Sequence, residues 1–153
     1  QPLKALILRI VAAKKPLVGI CFGHQIIAQT MGGHVEKFSG GWSIGLTDYQ
    51  FEGQKVRINA WHQDQVVTLP PKARCAGSSD FCKYAFLEYE DAIFSLQAHP
   101  EFNSAFIQGL IQFRGQKTVP QTLLETAQSK LSDPNSNDIL AEKIATFFKS
   151  KAG

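Results

Sequence analysis

Long apolar runs, dense cysteines and clustered basic residues are all missing from this sequence of 153 residues. No uninterrupted apolar stretch approaches the roughly 18 residues of a membrane-spanning helix, which argues against a membrane protein. Three cysteines are too few for a disulfide-stapled secreted scaffold, so we expect reduced thiols and a cytoplasmic location. The net charge is only +3 and the basic residues are scattered, which argues against a nucleic-acid partner.

The residues that are present favour one globular domain over residues 1–153, since 44% are hydrophobic and 19% charged. Helical spacing marks "PLKALILRIVAAKK", the buried-strand run "PLVGI" follows, and "GHQIIAQTMGG" is again helical. This succession predicts an α/β fold of three layers with a mainly parallel sheet. The pattern divides the domain into a core, residues 1–115, and C-terminal helices, residues 116–153.

The middle of the chain, from His34 to Ala98, changes to the alternating pattern of strands. "IGLTDYQF" and "KVRINAW" flank the turn-like "EGQ", and "YAFLEYE" and "AIFSLQA" follow. We therefore predict an antiparallel excursion inside the α/β domain, after which helices return in "EFNSAFIQGLIQFR", "PQTLLETAQSKL" and "DILAEKIATFFKS".

A lone cysteine stands at the bend between the buried strand and its helix. Gly19-Ile20-Cys21-Phe22-Gly23 fits the G-x-nucleophile-x-G pattern, in which flanking glycines relieve crowding at a strained turn. The N-terminus of the following helix favours a thiolate at this position. The backbone N–H of Phe22 is placed to donate to an oxyanion.

A nucleophilic cysteine needs a base and a group that orients the base. His99 directly follows the strand "AIFSLQA", and Glu101 lies two residues beyond it. Cys21, His99 and Glu101 therefore form a candidate catalytic triad, defined by roles rather than by positions.

"GICFGHQ", a strand-rich stretch and then "HPEF" together resemble the class I glutamine amidotransferases. "GWSIG", "WHQDQV" and "LPPKA" resemble the stand-alone branch that is GMP synthase-like or similar to γ-glutamyl peptidases. The resemblance covers about residues 2–113 and implies a flavodoxin-like fold. It also leads us to expect a domain that is incomplete at its N-terminus, because relatives carry strands and an oxyanion loop ahead of this helix.

The resemblance implies chemistry at the matching positions. Cys21 would attack the side-chain amide of glutamine, His99 would carry the proton to ammonia, and Glu101 would orient His99. Substrate contacts are implied for Gln25 and Phe22, and for Trp61 and His62 in the segment that passes the amino-acid end of glutamine. No cofactor or metal is implied, and the ammonia would go to an acceptor or a partner synthetase.

Other interpretations stay open at this stage. The same chemistry could cleave a γ-glutamyl peptide, and a shortened amidotransferase-like chain could instead be a non-catalytic binding or assembly protein. Cys21-x-x-His24 with His34 nearby suggests a zinc site only weakly, because four ligands are required. Cys75 and Cys82 could face one another, but we expect two small side chains that are buried or half-exposed.

Overall fold

The computed structural model describes residues 2–90 and 92–151. Within these residues the helices are α1 (Pro2–Ala12), α2 (Phe22–Thr30), α3 (Ser104–Phe113), α4 (Gln121–Ser129) and α5 (Asn137–Lys151), with a 3₁₀ turn at Gly115–Lys117. The strands are β1 (Leu17–Ile20), β2 (His34–Lys37), β3 (Ser43–Phe51), β4 (Gln54–His62), β5 (Asp64–Thr68), β6 (Ala73–Ser78), β7 (Phe86–Tyr89) and β8 (Ile93–Leu96). None of these helices is long and apolar enough to cross a membrane.

Six strands of the described chain form one sheet in the order β1-β8-β7-β6-β3-β4, and β2 pairs separately with β5. β1 and β8 are parallel, with Gly19 opposite Ser95, whereas the other neighbours in the sheet are antiparallel. The α/β class expected from the sequence is confirmed. The parallel pairing lies at β1–β8, and antiparallel strands occupy the interval in which the sequence predicts an excursion.

The longest hairpin forms where the sequence places the "EGQ" turn. β3 and β4 pair from Ser43–His62 to Phe51–Gln54, and Glu52 and Gly53 both have positive φ, 48° and 79°. Two consecutive positive φ values match the twist of a two-residue hairpin. The hairpin carries its last residue, His62, toward the end of the sheet that also holds the carboxyl ends of β1 and β8.

Alternate residues of the sheet pack against helices on its two faces. Phe86, Phe94 and Leu96 join a cluster with Leu140 and Phe147 of α5. The neighbouring positions on the same strands, Leu87, Tyr89 and Ile93, lie in a second cluster. This cluster includes residues of α1 and α2 such as Ile7 and Ile27. Because side chains of a strand alternate between faces, this arrangement buries β7 and β8 on both sides. A third cluster joins α3 and α4 to the end of the hairpin.

Candidate active site

The bend at Cys21 lies directly at the end of the parallel strand pair. The backbone N–H of Cys21 donates to the carbonyl of Leu96 at 2.9 Å, which continues the β1–β8 ladder by one bond. Cys21 then adopts φ 51° and ψ −103°, and α2 begins at the next residue. A non-glycine residue in this region stores roughly 1–3 kcal/mol of strain, which persists only where the surrounding structure enforces it. The structure therefore confirms the predicted sharp turn.

The two glycines around the bend have different roles. A Cβ at Gly19 would lie 2.6 Å from Cδ1 of Ile27 and 2.7 Å from the carbonyl carbon of Gly23, so α2 can lie against β1 only because residue 19 has no side chain. A Cβ at Gly23 would meet no described atom within 4 Å. Gly19, not Gly23, relieves the crowding that the sequence pattern attributes to both.

His99 is brought beside the bend by the strand that pairs with β1. It lies three residues beyond Leu96, and its N–H donates to the carbonyl of Asn59 on β4 at 2.8 Å. Its Nδ1 lies 2.6 Å from Oε1 of Glu101. The side chain of His99 is 13% exposed and that of Glu101 is 48% exposed, so the carboxylate holds a largely buried ring from the solvent side.

The surroundings of His99 favour its charged form. Burial by itself lowers the pKa of this imidazole, but hydrogen bonding to the Cys21 thiol and to Glu101, with their negative charges, raises the pKa to about 9. The structure thus brings Cys21, His99 and Glu101 together as the sequence predicts. A raised imidazole pKa beside a thiol favours a thiolate–imidazolium pair.

Phe102 fixes the plane of the His99 ring. The two rings stack with centroids 3.9 Å apart and an interplanar angle of 4°. The carbonyl of Phe102 accepts from Nδ2 of Asn59 at 3.1 Å and from Nδ2 of Asn137 at 3.0 Å. Phe102 is the last residue of the "HPEF" motif, but it is not among the site residues predicted from the sequence.

A buried glutamine, also missed from the sequence, contacts the sulfur. Gln97 is 0% exposed, and its Nε2 lies 3.5 Å from Sγ of Cys21. Gln25, a predicted substrate contact, donates from its Nε2 to the carbonyl of Asp64 at 2.8 Å and to Oε1 of Gln97 at 3.2 Å. A polar residue inside the apolar run "AIFSLQA" is the signal that points to Gln97.

His24 lies in the first turn of α2, as predicted, and is fully buried against β8. Its Nδ1 hydrogen-bonds the Ser95 hydroxyl at 2.8 Å. Burial lowers the pKa of His24 to about 3, so the ring is neutral at physiological pH. The contact between His24 and Ser95 therefore joins α2 to the sheet. In the described residues no group of His, Cys, Asp and Glu side chains is arranged to hold a metal ion.

His62 and Trp61 occupy adjacent positions of β4 and so point to opposite faces. Burial lowers the pKa of His62 to about 4, and its Nδ1 lies 3.2 Å from the carbonyl of Asp64. This neutral ring is close enough to His99 for the charge of His99 to contribute to the lowered pKa. Trp61 packs in the cluster with α3 and α4, together with Phe102. Substrate contacts by either residue stay predictions.

The remaining cysteines lie away from the bend. Cys75 is exposed and Cys82 is buried, and both are free thiols. Burial raises the pKa of Cys82 to about 12, which keeps this thiol protonated. Cys21 is therefore the cysteine with an imidazole beside it, and the other two serve as internal references for its reactivity.

The comparison with protein families turns on this same region. The family model described as glutamine amidotransferase class-I matches residues 2–113, which include the bend, the hairpin and the His99 loop. This chain belongs to the class I glutamine amidotransferase family. Members of this family are enzymes, and the match spans every residue of the proposed triad.

Among the relatives of this class I amidotransferase chain is γ-glutamyl peptidase 2 of Arabidopsis thaliana, 34% identical over 77% of the chain and 53% of the relative. A glutamine-hydrolyzing GMP synthase subunit of Archaeoglobus fulgidus is 39% identical over 60% of the chain and 55% of the relative. The chain thus spans about half the length of the curated relatives it matches. A glutamine amidotransferase crystal structure from Methylobacillus flagellatus superimposes with a TM-score of 0.78 at 22% identity, over 98% of this chain and 67% of that one, which shows a shared fold.

Proposed function

We propose that this amidotransferase chain carries the cysteine nucleophile of an enzyme that hydrolyses the side-chain amide of glutamine. The observation that carries the proposal is the strained Cys21 beside the His99–Glu101 pair, whose Nδ1 and Oε1 atoms lie 2.6 Å apart. Backbone strain at a cysteine and a raised pKa of the imidazole beside it rarely occur together where the residues serve only packing.

The first half of the reaction uses the thiolate and the imidazolium. The Cys21 thiolate attacks the amide carbon of glutamine and forms a C–S bond, with the oxygen becoming an oxyanion. His99 gives its proton to the amide nitrogen, the C–N bond breaks, and ammonia leaves. The product is a γ-glutamyl thioester on Cys21, and His99 is left neutral.

The second half returns the site to its starting state. Neutral His99 takes a proton from water, and the resulting hydroxide attacks the thioester carbon. The C–S bond then breaks, which releases glutamate and restores the thiolate beside imidazolium. Glu101 keeps the ring in one orientation throughout, and the backbone N–H of Phe22, at the first position of α2, is the proposed donor to the oxyanion.

The substrate class follows from the bond that is broken. A γ-glutamyl peptide presents the same carbonyl with a larger amine as leaving group, and the likeness to γ-glutamyl peptidase 2 favours this as the second candidate. The likeness to one subunit of a glutamine-hydrolyzing GMP synthase supports a partner enzyme that accepts the ammonia. Gln25, Trp61 and His62 remain proposed substrate contacts, and a cytoplasmic location remains part of the proposal.

The test combines turnover with a glutamine-mimicking diazo-ketone. We expect ammonia release from glutamine, or amine release from a γ-glutamyl peptide, to fall at least about 10³-fold in Cys21→Ser and to stay unchanged in Cys75→Ser. Mass spectrometry should find the diazo-ketone on Cys21, with Cys75 and Cys82 unmodified. Uniform labelling of the three thiols, or none, would favour a non-catalytic binding protein instead.

A further inference from the structure

The Cys21 sulfur has a second polar neighbour besides the triad histidine. The carboxamide of Gln97 is 0% exposed and reaches Sγ from the residue just after β8, with an Nε2–Sγ distance of 3.5 Å. A side chain placed this deeply loses its contacts with water, so its hydrogen bonds are made with protein groups or not at all. The contact with sulfur is therefore part of how this amide is satisfied.

The orientation of the Gln97 amide follows from a chain of hydrogen bonds that starts at the backbone. The carbonyl of Asp64 can only accept, so the atom of Gln25 that faces it at 2.8 Å is the donating Nε2. The second hydrogen of this Nε2 is then available for Gln97, and the atom that it meets at 3.2 Å is Oε1. Gln97 is consequently oriented with its own NH₂ group toward the sulfur.

A fixed N–H donor at sulfur distinguishes the two states of the cysteine. Thiolate sulfur accepts a hydrogen bond much more strongly than thiol sulfur, and bonds to an ionised group are the stronger class. In a buried setting the amide has no water to exchange for this bond. A donor held at this position therefore interacts more strongly with the thiolate than with the thiol.

We propose that Gln97 is a thiolate-stabilising residue of the active site and that Gln25 is the positioning residue that turns its amide toward the sulfur. The proposal rests on the proposed function, in which Cys21 is the nucleophile. Gln97 would then contact the reacting sulfur directly. Gln25, besides its predicted substrate contact, would orient the Gln97 amide through its Nε2.

Other groups also act on this sulfur and must be separated from Gln97. His99 lies beside Cys21 in the loop after β8, where Cys21 and Glu101 together raise the pKa of its ring. Burial is the main cause of the raised pKa of Tyr49 on β3, and the charge of Cys21 contributes a smaller part. Neutral substitutions at Gln97 and Gln25 leave these groups in place, so a change in thiol titration reports the amide network.

The experiment measures how the rate of alkylation by iodoacetamide depends on pH at each cysteine, with peptide mass spectrometry to assign the thiol. In Gln97→Met we expect the midpoint for Cys21 to rise by roughly one pH unit, about tenfold in thiolate population, because one hydrogen bond to a charged acceptor is lost. Gln97→Glu should raise it further, since a carboxylate would replace the donor. The midpoint of exposed Cys75 should not move in either variant.

Gln25→Met provides the second arm and tests the orientation step. It removes the hydrogen bond from Gln25 to Gln97 and the bond to Asp64 that orients Gln25, so we expect a smaller rise in the Cys21 midpoint in the same direction. Gln65→Met is the matched control, because Gln65 is also a buried glutamine, 3% exposed, and donates to the carbonyl of Phe81. Gln65→Met should lower stability and leave the Cys21 midpoint in place.

The outcomes separate this inference from the proposed function. An unchanged Cys21 midpoint in Gln97→Met, or in Gln25→Met should the first variant not fold, overturns the role of the amide network. Equal shifts in Gln97→Met, Gln97→Glu and Gln65→Met would also overturn it, since they would indicate a general packing effect. Alkylation requires neither glutamine nor turnover, so a missing glutaminase activity with shifted midpoints contradicts the proposed function alone.

Discussion

Two histidines in this chain, the buried His24 and the partly buried His99, have opposite charge preferences. At the α2–β8 interface, burial lowers the pKa of His24 to about 3. At the end of β8, the pKa of His99 is raised to about 9 although burial opposes the rise. The first ring faces the Ser95 hydroxyl, whereas the second lies between a thiol and a carboxylate.

The difference shows that the groups around a histidine, together with its degree of burial, decide its charge. A hydroxyl leaves the desolvation of a cation uncompensated, so His24 stays neutral and serves packing. At His99, which is less deeply buried, two acidic groups compensate for the desolvation, so a proton is kept beside the nucleophile. His24 contacts β8 and His99 follows that strand, so the contrast can be tested within one region of the molecule.

Among the tests of this contrast, the largest expected effect comes from removing one of the two charges that raise the pKa of His99. Glu101→Gln preserves the size of the side chain, but we expect the pKa of His99 to fall from about 9 toward its ordinary 6.5. The catalytic efficiency kcat/KM for glutamine or a γ-glutamyl peptide should fall roughly 10²-fold, a typical share for acid–base catalysis. His99 would lose its proton at a lower pH, so the alkaline limb of the pH–rate profile should shift to lower pH.

The matched control is Glu142→Gln, which removes the same charge from an exposed position of α5. Its pH–rate profile should coincide with that of the unsubstituted protein. An alkaline limb that stays in place in Glu101→Gln would show that Glu101 does not set the proton affinity of His99. The contrast between His99 and His24 would then need another cause.

The sequence predicts the triad because its parts are local signals. A glycine-flanked cysteine after an apolar run, and a histidine and glutamate after another, each follow from the chain itself, and parallel pairing of β1 and β8 brings them together. The hairpin at Glu52–Gly53 is equally local. These features depend on few residues that are close in sequence, so pattern alone finds them.

The rest of the site depends on contacts between residues distant in sequence. The Gln25–Gln97 bond joins positions 72 residues apart, and the bond between His24 and Ser95 spans 71 residues. A glutamine in a strand-like run has no pattern that identifies its partner before the fold is known. The same limit applies to Gly19 and Gly23, which the motif treats alike and the structure distinguishes.

The second largest effect is expected from loosening the contact between α2 and β1. It tests whether the contrast between His24 and His99 depends on this contact. Gly19→Ala introduces a Cβ 2.6 Å from Cδ1 of Ile27 and 2.7 Å from the backbone of Gly23, so the helix must move. We expect a loss of about 2 kcal/mol in the free energy of unfolding, as for other overpacked sites. Since Cys21 directly precedes α2, a shift of this helix should displace the sulfur, and activity should fall as well. Urea denaturation and turnover measure the two effects.

Gly23→Ala is the matched control, because a Cβ there meets no described atom within 4 Å. The change should leave stability within about 0.5 kcal/mol, as is usual for substitutions that create no contact. A larger loss in Gly23→Ala than in Gly19→Ala would reverse the assignment of the crowded glycine.

The smallest effect concerns acid stability and isolates His24 from His99. As the pH falls below 6.5, the unfolded chain binds a proton at residue 24 that the folded chain, with a pKa of about 3, does not bind. Each such neutral histidine therefore removes about 1.4 kcal/mol of stability per pH unit in this window, and His62, with a pKa of about 4, acts in the same direction. His99 has the opposite effect on stability, because its contribution is complete below pH 6.5 and is lost as the pH rises toward 9.

Urea denaturation between pH 5 and 7 should thus show a shallower acid slope in His24→Gln, whereas His34→Gln, at an exposed position, should keep the original slope. Equal slopes in both variants would mean that His24 takes up a proton as readily in the folded chain as in the unfolded chain, and the contrast between His24 and His99 would disappear.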